Sequence, residues 1–136
     1  MICKINKDIT ILQQKALPAT PDDIPVADNL METLKAHSDS CVGMAANMIG
    51  IPKAIIVFDN EGQYMEMFNP VITQQSGSFD TTEGCLSLQG QRPTKRYQYI
   101  KVRWQDREMK SHQKRFSGWT AQIIQHEIDH LNGIII

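Results

Sequence analysis

The chain has 136 residues, 14 basic against 15 acidic side chains, a net charge of -1 and 41% hydrophobic residues. That length suits one domain, 1–136, with a core of its own, and the near-average composition excludes disordered, collagen-like and coiled-coil classes. No apolar run approaches the ~20 residues of a membrane span, the N-terminus lacks a signal-peptide pattern, and the charge lacks the basic excess of a dedicated nucleic-acid binder.

Asp22 and Asp23 sit where carboxylates favour a helix start, and Ile24, Leu30, Met31 and Leu34 give an apolar stripe over residues 21–37. Residues 38–51 are rich in small side chains and suit either helix or turn, with Gly43, Ala45 and Ala46 allowing close backbone approach. Residues 54–58 form an apolar strand, 59–62 a turn, and 64–68 the returning strand; Asn69-Pro70 is expected to break it before 71–73 resume. Ile100, Val102 and Trp104 alternate with Lys101 and Arg103 as a half-buried strand, with 111–116 as its partner. Residues 95–115 hold eight basic side chains against Asp106 and Glu108, read here as solvated strand faces. The period then changes. Ile124, Ile128 and Leu131 mark a helix over 119–131, capped by Ser117 or Gly118 and ended by Asn132-Gly133, with one more short strand expected at 134–136. The class is α+β.

The late helix carries His126-Glu127-Ile128-Asp129-His130, an H-E-x-x-H pattern. Histidines four apart project from one helix face and can grip one metal ion, with Glu127 placed as a general base. A catalytic site of this type needs a third protein ligand and an open position. Nothing after His130 is a usual ligand, so the third comes from upstream: Cys3, Cys41, Cys85, His37, His112 or a carboxylate. Cys85, beside Gly84 in a tight-turning segment, stands out among them. The odd number of cysteines argues for a reducing, cytoplasmic compartment and against a disulfide framework.

Three motifs together resemble the peptide deformylase family. Glu83-Gly84-Cys85-Leu86-Ser87 matches E-G-C-L-S, and residues 125–133 match Q-H-E-x-D-H-x-x-G. Residues 41–48 follow G-x-G-x-A-A-x-Q with two departures, Cys41 for the first Gly and Met48 for the final Gln. The likeness spans residues 30–133. It implies antiparallel strands packed around a central metal-binding helix. It further implies removal of the formyl group from formyl-methionyl nascent peptides, with release of formate, in bacteria or organelles and in proximity to the ribosome. Cys85, His126 and His130 would hold one divalent ion, Fe2+ first, with Zn2+, Ni2+ or Co2+ as alternatives. Glu127 would move the proton and the Leu86 N–H would face the developing oxyanion. Val42, Gly43, Gly84 and Met48 would line the substrate cleft.

Methionine offers no hydrogen-bond donor, so Met48 leaves the oxyanion short of one partner, a loss worth roughly 10²–10³ in rate. The alternative is therefore a protein of this fold that holds metal and peptide N-termini with weak or no deformylase activity; a metallopeptidase using the same Glu is a third reading. Elsewhere, Cys41 is read as cleft wall or core, and Cys3 as inert. His37 and His112 are surface or strand-face residues, and Met44, Met65 and Met67 are core. Glu83 supports its loop, Arg92 is a surface residue, and Asp129 lies beside the ligands or on the helix surface.

Overall fold

In the computed structural model, which describes residues 1–134, a single turn α1 (Ile9–Leu12) precedes the helix α2 (Ile24–Ala36). Thr20 and Asp23 cap each other across the 3-10 turn Pro21–Asp23: Asp22 N donates to Thr20 Oγ1 at 3.3 Å and Thr20 N donates to Asp23 Oδ2 at 2.9 Å. The segment 38–51 is neither one helix nor one turn. It holds a short strand β1 (Gly43–Ala45) and a 3-10 turn (Ala46–Ile49), closed by Gly50 at φ +84°.

Four more strands follow: β2 (Ile55–Asn60), β3 (Gln63–Cys85), β4 (Leu88–Gln105) and β5 (Ser111–Ser117). They form an antiparallel sheet in the order β1-β2-β3-β4-β5. The last helix, α3 (Gly118–Leu131), lies across it. β2 is apolar on both faces because both are covered. Ile56 and Phe58 join Ile100, Val102, Phe116 and the α3 residues Ile124, Ile128 and Leu131 in one core cluster. Ile55 and Val57 join Ala27, Leu30 and Leu34 of α2 in the other.

Two expectations change. The strand does not break at Asn69-Pro70; it continues as β3, with Asn69 at φ +53° and a register shift between Phe68 and Val71. A bulge accommodates the missing proline N–H. The Asn69 amide anchors the irregularity, with Nδ2 donating to Ala19 O at 3.0 Å and to Gln105 Oε1 at 2.7 Å. At the start of α3, Ser117 occupies the cap position, but its side chain makes no capping bond.

The β3–β4 hairpin reaches well past the rest of the sheet. β5 pairs with β4 only as far as Tyr99, opposite Ser117, so the stretch of β4 before it has no strand on that side, and Pro93 fits there. The hairpin closes through Leu86 and Ser87, with Cys85 paired to Leu88, and this end carries the cysteine motif to α3. Gly133, at φ +75°, ends α3 as expected. The strand expected at 134–136 falls mainly on Ile135 and Ile136, outside the described residues.

Candidate active site

α3 puts His126 and His130 one turn apart on a buried face, with their Nε2 atoms 3.0 Å from each other. Cys85 arrives from the end of β3, and its sulfur and the two ring nitrogens all lie within 4.8 Å of one another. A tetrahedral ion ~2.1 Å from each nitrogen would hold them ~3.4 Å apart, close to the spacing found. His130 is 1% exposed; burial and the His126 charge push its pKa down to about 3, so its ring is neutral and offers a lone pair. One sulfur and two imidazoles gathered at the floor of a cleft are a donor set for a divalent transition ion with an open side.

The ring of His126 is fixed from behind. Its Nδ1 donates to Glu83 Oε1 at 2.8 Å, which turns Nε2 towards Cys85 and His130. Glu83 also accepts from Arg96 Nη2 at 2.7 Å and from Gln122 Nε2 at 2.8 Å. Burial opposes its ionisation, but the bonds from His126, Arg96 and Gln122 hold its pKa at about 2. Burial also opposes charging of His126, yet bonds to Cys85 and Glu83 raise that pKa to about 10 in the metal-free protein. Arg96, 3% exposed, bridges Glu83 to Asp129, donating to Asp129 Oδ2 at 2.7 Å. One helix and one hairpin are thus tied by a buried ionic chain.

Glu127 is buried, and among the described residues its Oε1 has no hydrogen-bond partner. Burial lifts its pKa to about 7. Gly43 makes room for it: a Cβ there would lie 2.9 Å from Glu127 Oε2 and 2.9 Å from Ile123 Cγ2. Gln125 fastens the same helix to β4, accepting from Tyr97 N at 2.8 Å and donating to Tyr97 O at 2.9 Å.

A cleft of about 630 Å³ opens above these groups. Val42, Gly43, Met48, Gly84, Cys85, Leu86, His126 and Glu127 line it, whereas His130 lies beneath its floor. Among the described residues, the Leu86 N–H is not engaged by any turn or loop carbonyl. Met48 is 1% exposed, and its sulfur accepts from Ala45 N at 3.5 Å. Its neighbour Asn47 donates to His130 O at 2.8 Å and so locks the first motif to α3. Cys41 is cleft wall; burial and the Glu127 charge raise its thiol pKa to about 12. Arg92, read as a surface residue, is half-buried, and its Nη2 donates to Gln89 O at 3.1 Å.

Sequence reasoning missed Arg96, Gln122, Asn47 and Trp119. Asn47 sits inside a motif and was findable by its position there. Arg96 stands opposite Phe79 in the hairpin and reaches Glu83 four residues further along, a placement no local pattern announces. Trp119, 61% exposed, stands at the cleft rim.

An antiparallel sheet wrapped on a helix that offers two histidines and a glutamate beside a hairpin cysteine is the build of a mononuclear metallohydrolase. The family described as polypeptide deformylase matches residues 1–136. A peptide deformylase of Clostridium beijerinckii is 50% identical over 136 residues, all of both chains. One from Pelotomaculum thermopropionicum is 41% identical over 82% of this chain and 72% of its own. The crystal structure of peptide deformylase from Thermotoga maritima superposes with a TM-score of 0.90 at 27% identity, over 99% of this chain and 95% of that one. A Met-Ala-Ser-bound structure of the class I type b enzyme from Acinetobacter baumannii gives 0.89 at 27% identity, over 99% and 97%. The chain belongs to the polypeptide deformylase family.

Proposed function

We propose that this chain removes the N-terminal formyl group from formyl-methionyl nascent peptides, releasing formate and a free α-amine. The observation that carries this reading is the meeting of three distant motifs in one cleft: Gly43 and Met48, Gly84 to Leu86, and His126 with Glu127. The Acinetobacter baumannii relative was solved with Met-Ala-Ser, the peptide left when formyl-Met-Ala-Ser loses its formyl group.

Cys85, His126 and His130 are the residues that would hold one divalent ion, Fe2+ by first preference and Zn2+, Ni2+ or Co2+ as alternatives. When bound, such an ion supplies Lewis acidity for the formyl oxygen and for the attacking water. Glu127, poised near neutrality, accepts the proton of that water and returns it to the leaving amine nitrogen. The Leu86 N–H donates to the oxygen that gains charge. The peptide backbone lies along Gly43 and Gly84, with Val42 at the rim. On this reading the chain works in the cytoplasm and beside the ribosome, where formylated nascent peptides emerge.

Met48 favours a second reading, a peptide-N-terminus binder with little turnover, because its sulfur accepts from Ala45 and gives the cleft no donor. One experiment separates them: formate release from formyl-Met-Ala-Ser by anaerobically Fe2+-loaded protein, beside Glu127→Ala. Turnover that Glu127→Ala abolishes supports the hydrolase. Equal background rates in both proteins, with formylated peptide still bound, support the binder.

A further inference from the structure

We infer that the outer face of β4 and β5, on the side of the sheet away from α3, is a docking surface for single-stranded RNA. The pleat puts Ile100, Val102, Trp104 and Phe116 into the core against α3. It therefore turns Tyr99, Lys101 and Arg103 of β4 to the opposite side, and Arg115 with them. That side is not covered: the core cluster under α2 draws on β2 and β3 and takes no buried residue from β4 or β5.

The charge arrangement on this face is costly to the fold. Lys101 stands directly opposite Arg115 in the ladder, and like charges in that relation destabilise a sheet. Among the described residues, neither of them nor Arg103 has a carboxylate at ion-pair distance. The strand segments that make up the face, 71–78, 99–103 and 113–117, contain no Asp or Glu. Their remaining polar groups are amides and hydroxyls, Gln74 and Ser76 opposite Lys101 and Tyr99.

A groove of about 700 Å³ lies at this part of the sheet; Gln74, Ser76, Tyr99, Lys101 and Arg115 line it from the outer face, and Ile100 and Phe116 from the core side. Tyr99 is 61% exposed although it lies mid-strand beside the cations. Uncompensated cations next to an exposed ring on a flat strand surface form a backbone track with a stacking platform, the combination that binds single-stranded nucleic acid. An acidic peptide would use the cations but not the ring. An anionic membrane would ask for several apolar anchors rather than one tyrosine. The overall charge of -1 does not oppose this, because these strand segments carry cations and no carboxylate.

The inference is independent of catalysis and is tested on the metal-loaded full chain. Binding of a labelled oligouridine RNA of about twelve nucleotides is followed by fluorescence anisotropy. Three phosphate contacts predict a fall in affinity of about 20-fold between about 50 and 200 mM KCl. The variant Lys101→Gln/Arg103→Gln/Arg115→Gln should lose most of the binding and most of the salt dependence. Tyr99→Ser should weaken binding about tenfold with the salt dependence kept, and Tyr99→Phe should restore it. Lys110→Gln, an exposed cation outside the face, should bind as the parent does. All variants should release formate at the parent rate, which excludes loss of fold. The inference is overturned if the triple variant binds RNA like the parent. It is equally overturned if poly-glutamate or phosphatidylglycerol vesicles bind as tightly as the RNA, or if Tyr99→Ser changes nothing.

Discussion

Glu83 and His126 meet at 2.8 Å across the junction of hairpin and helix, and this contact decides which nitrogen of His126 faces Cys85 and His130. A carboxylate behind a ligand histidine fixes its tautomer and raises its basicity. Glu83→Gln keeps the shape and removes the charge. Metal affinity should fall about 10- to 100-fold, measured by competition with a chelator. The same variant leaves Arg96 with Asp129 as its remaining anionic partner, so the urea midpoint should fall as well.

Gly43 sets the position of Glu127. Gly43→Ala brings a methyl to 2.9 Å from Glu127 Oε2 and from Ile123 Cγ2, so the helix side chains must shift. Overpacking of this kind costs about 1–3 kcal/mol. Formate release should drop at least about tenfold, a change of ~1.4 kcal/mol in the barrier, because the displaced carboxylate no longer meets the water squarely. Metal content, read by atomic emission, should stay at the parent level, since the atoms nearest the added methyl belong to Glu127 and Ile123 and not to Cys85, His126 or His130.

The buried Glu127 carboxyl makes stability depend on pH. Burial raises its pKa from its ordinary 4.5 to about 7, so the folded, metal-free protein holds this proton more tightly than the unfolded chain does. Stability from this group is complete below pH 4.5 and is lost as pH rises through about 7. Glu127→Gln removes that dependence. In urea titrations of the metal-free protein the variant should match the parent near pH 4.5 and exceed it at pH 8, by about 3 kcal/mol at most. Its kcat should fall by about 10²–10⁴.

Met48 stands where the motif that residues 41–48 resemble has Gln. Its sulfur takes the Ala45 N–H at 3.5 Å, and a glutamine Oε1 could take the same bond while Nε2 turns to the cleft. Met48→Gln is expected to raise kcat at least about tenfold with KM little changed, because the new bond strengthens in the transition state. A flat kcat with normal metal content would mean that the cleft already supplies the oxyanion's partners.

The sequence by itself determined whatever depends on neighbours within a few residues. Helix geometry alone puts His126 and His130 on one side of α3, alternation alone buries Ile100, Val102 and Trp104, and a glycine ends α3 at Gly133. The three motifs announced the family because each is a short, contiguous word. Tertiary structure decided what contiguous words cannot carry. The break expected at Asn69-Pro70 became a bulge because Ala19 and Gln105, remote in sequence, satisfy the Asn69 amide. Segment 38–51 became strand and 3-10 turn because β1 pairs with β2 and Asn47 bonds to the end of α3. The approach of Cys85 to His126 and the Glu83–Arg96–Asp129 chain follow from hairpin register and from where the hairpin tip meets the helix. The basic stretch 95–115 was legible as charge, but only the pleat and the reach of α2 decided that Lys101, Arg103 and Arg115 share one uncovered face. Local physics fixes periodicity and caps, whereas burial of a charge or a sulfur depends on which distant surface closes over it.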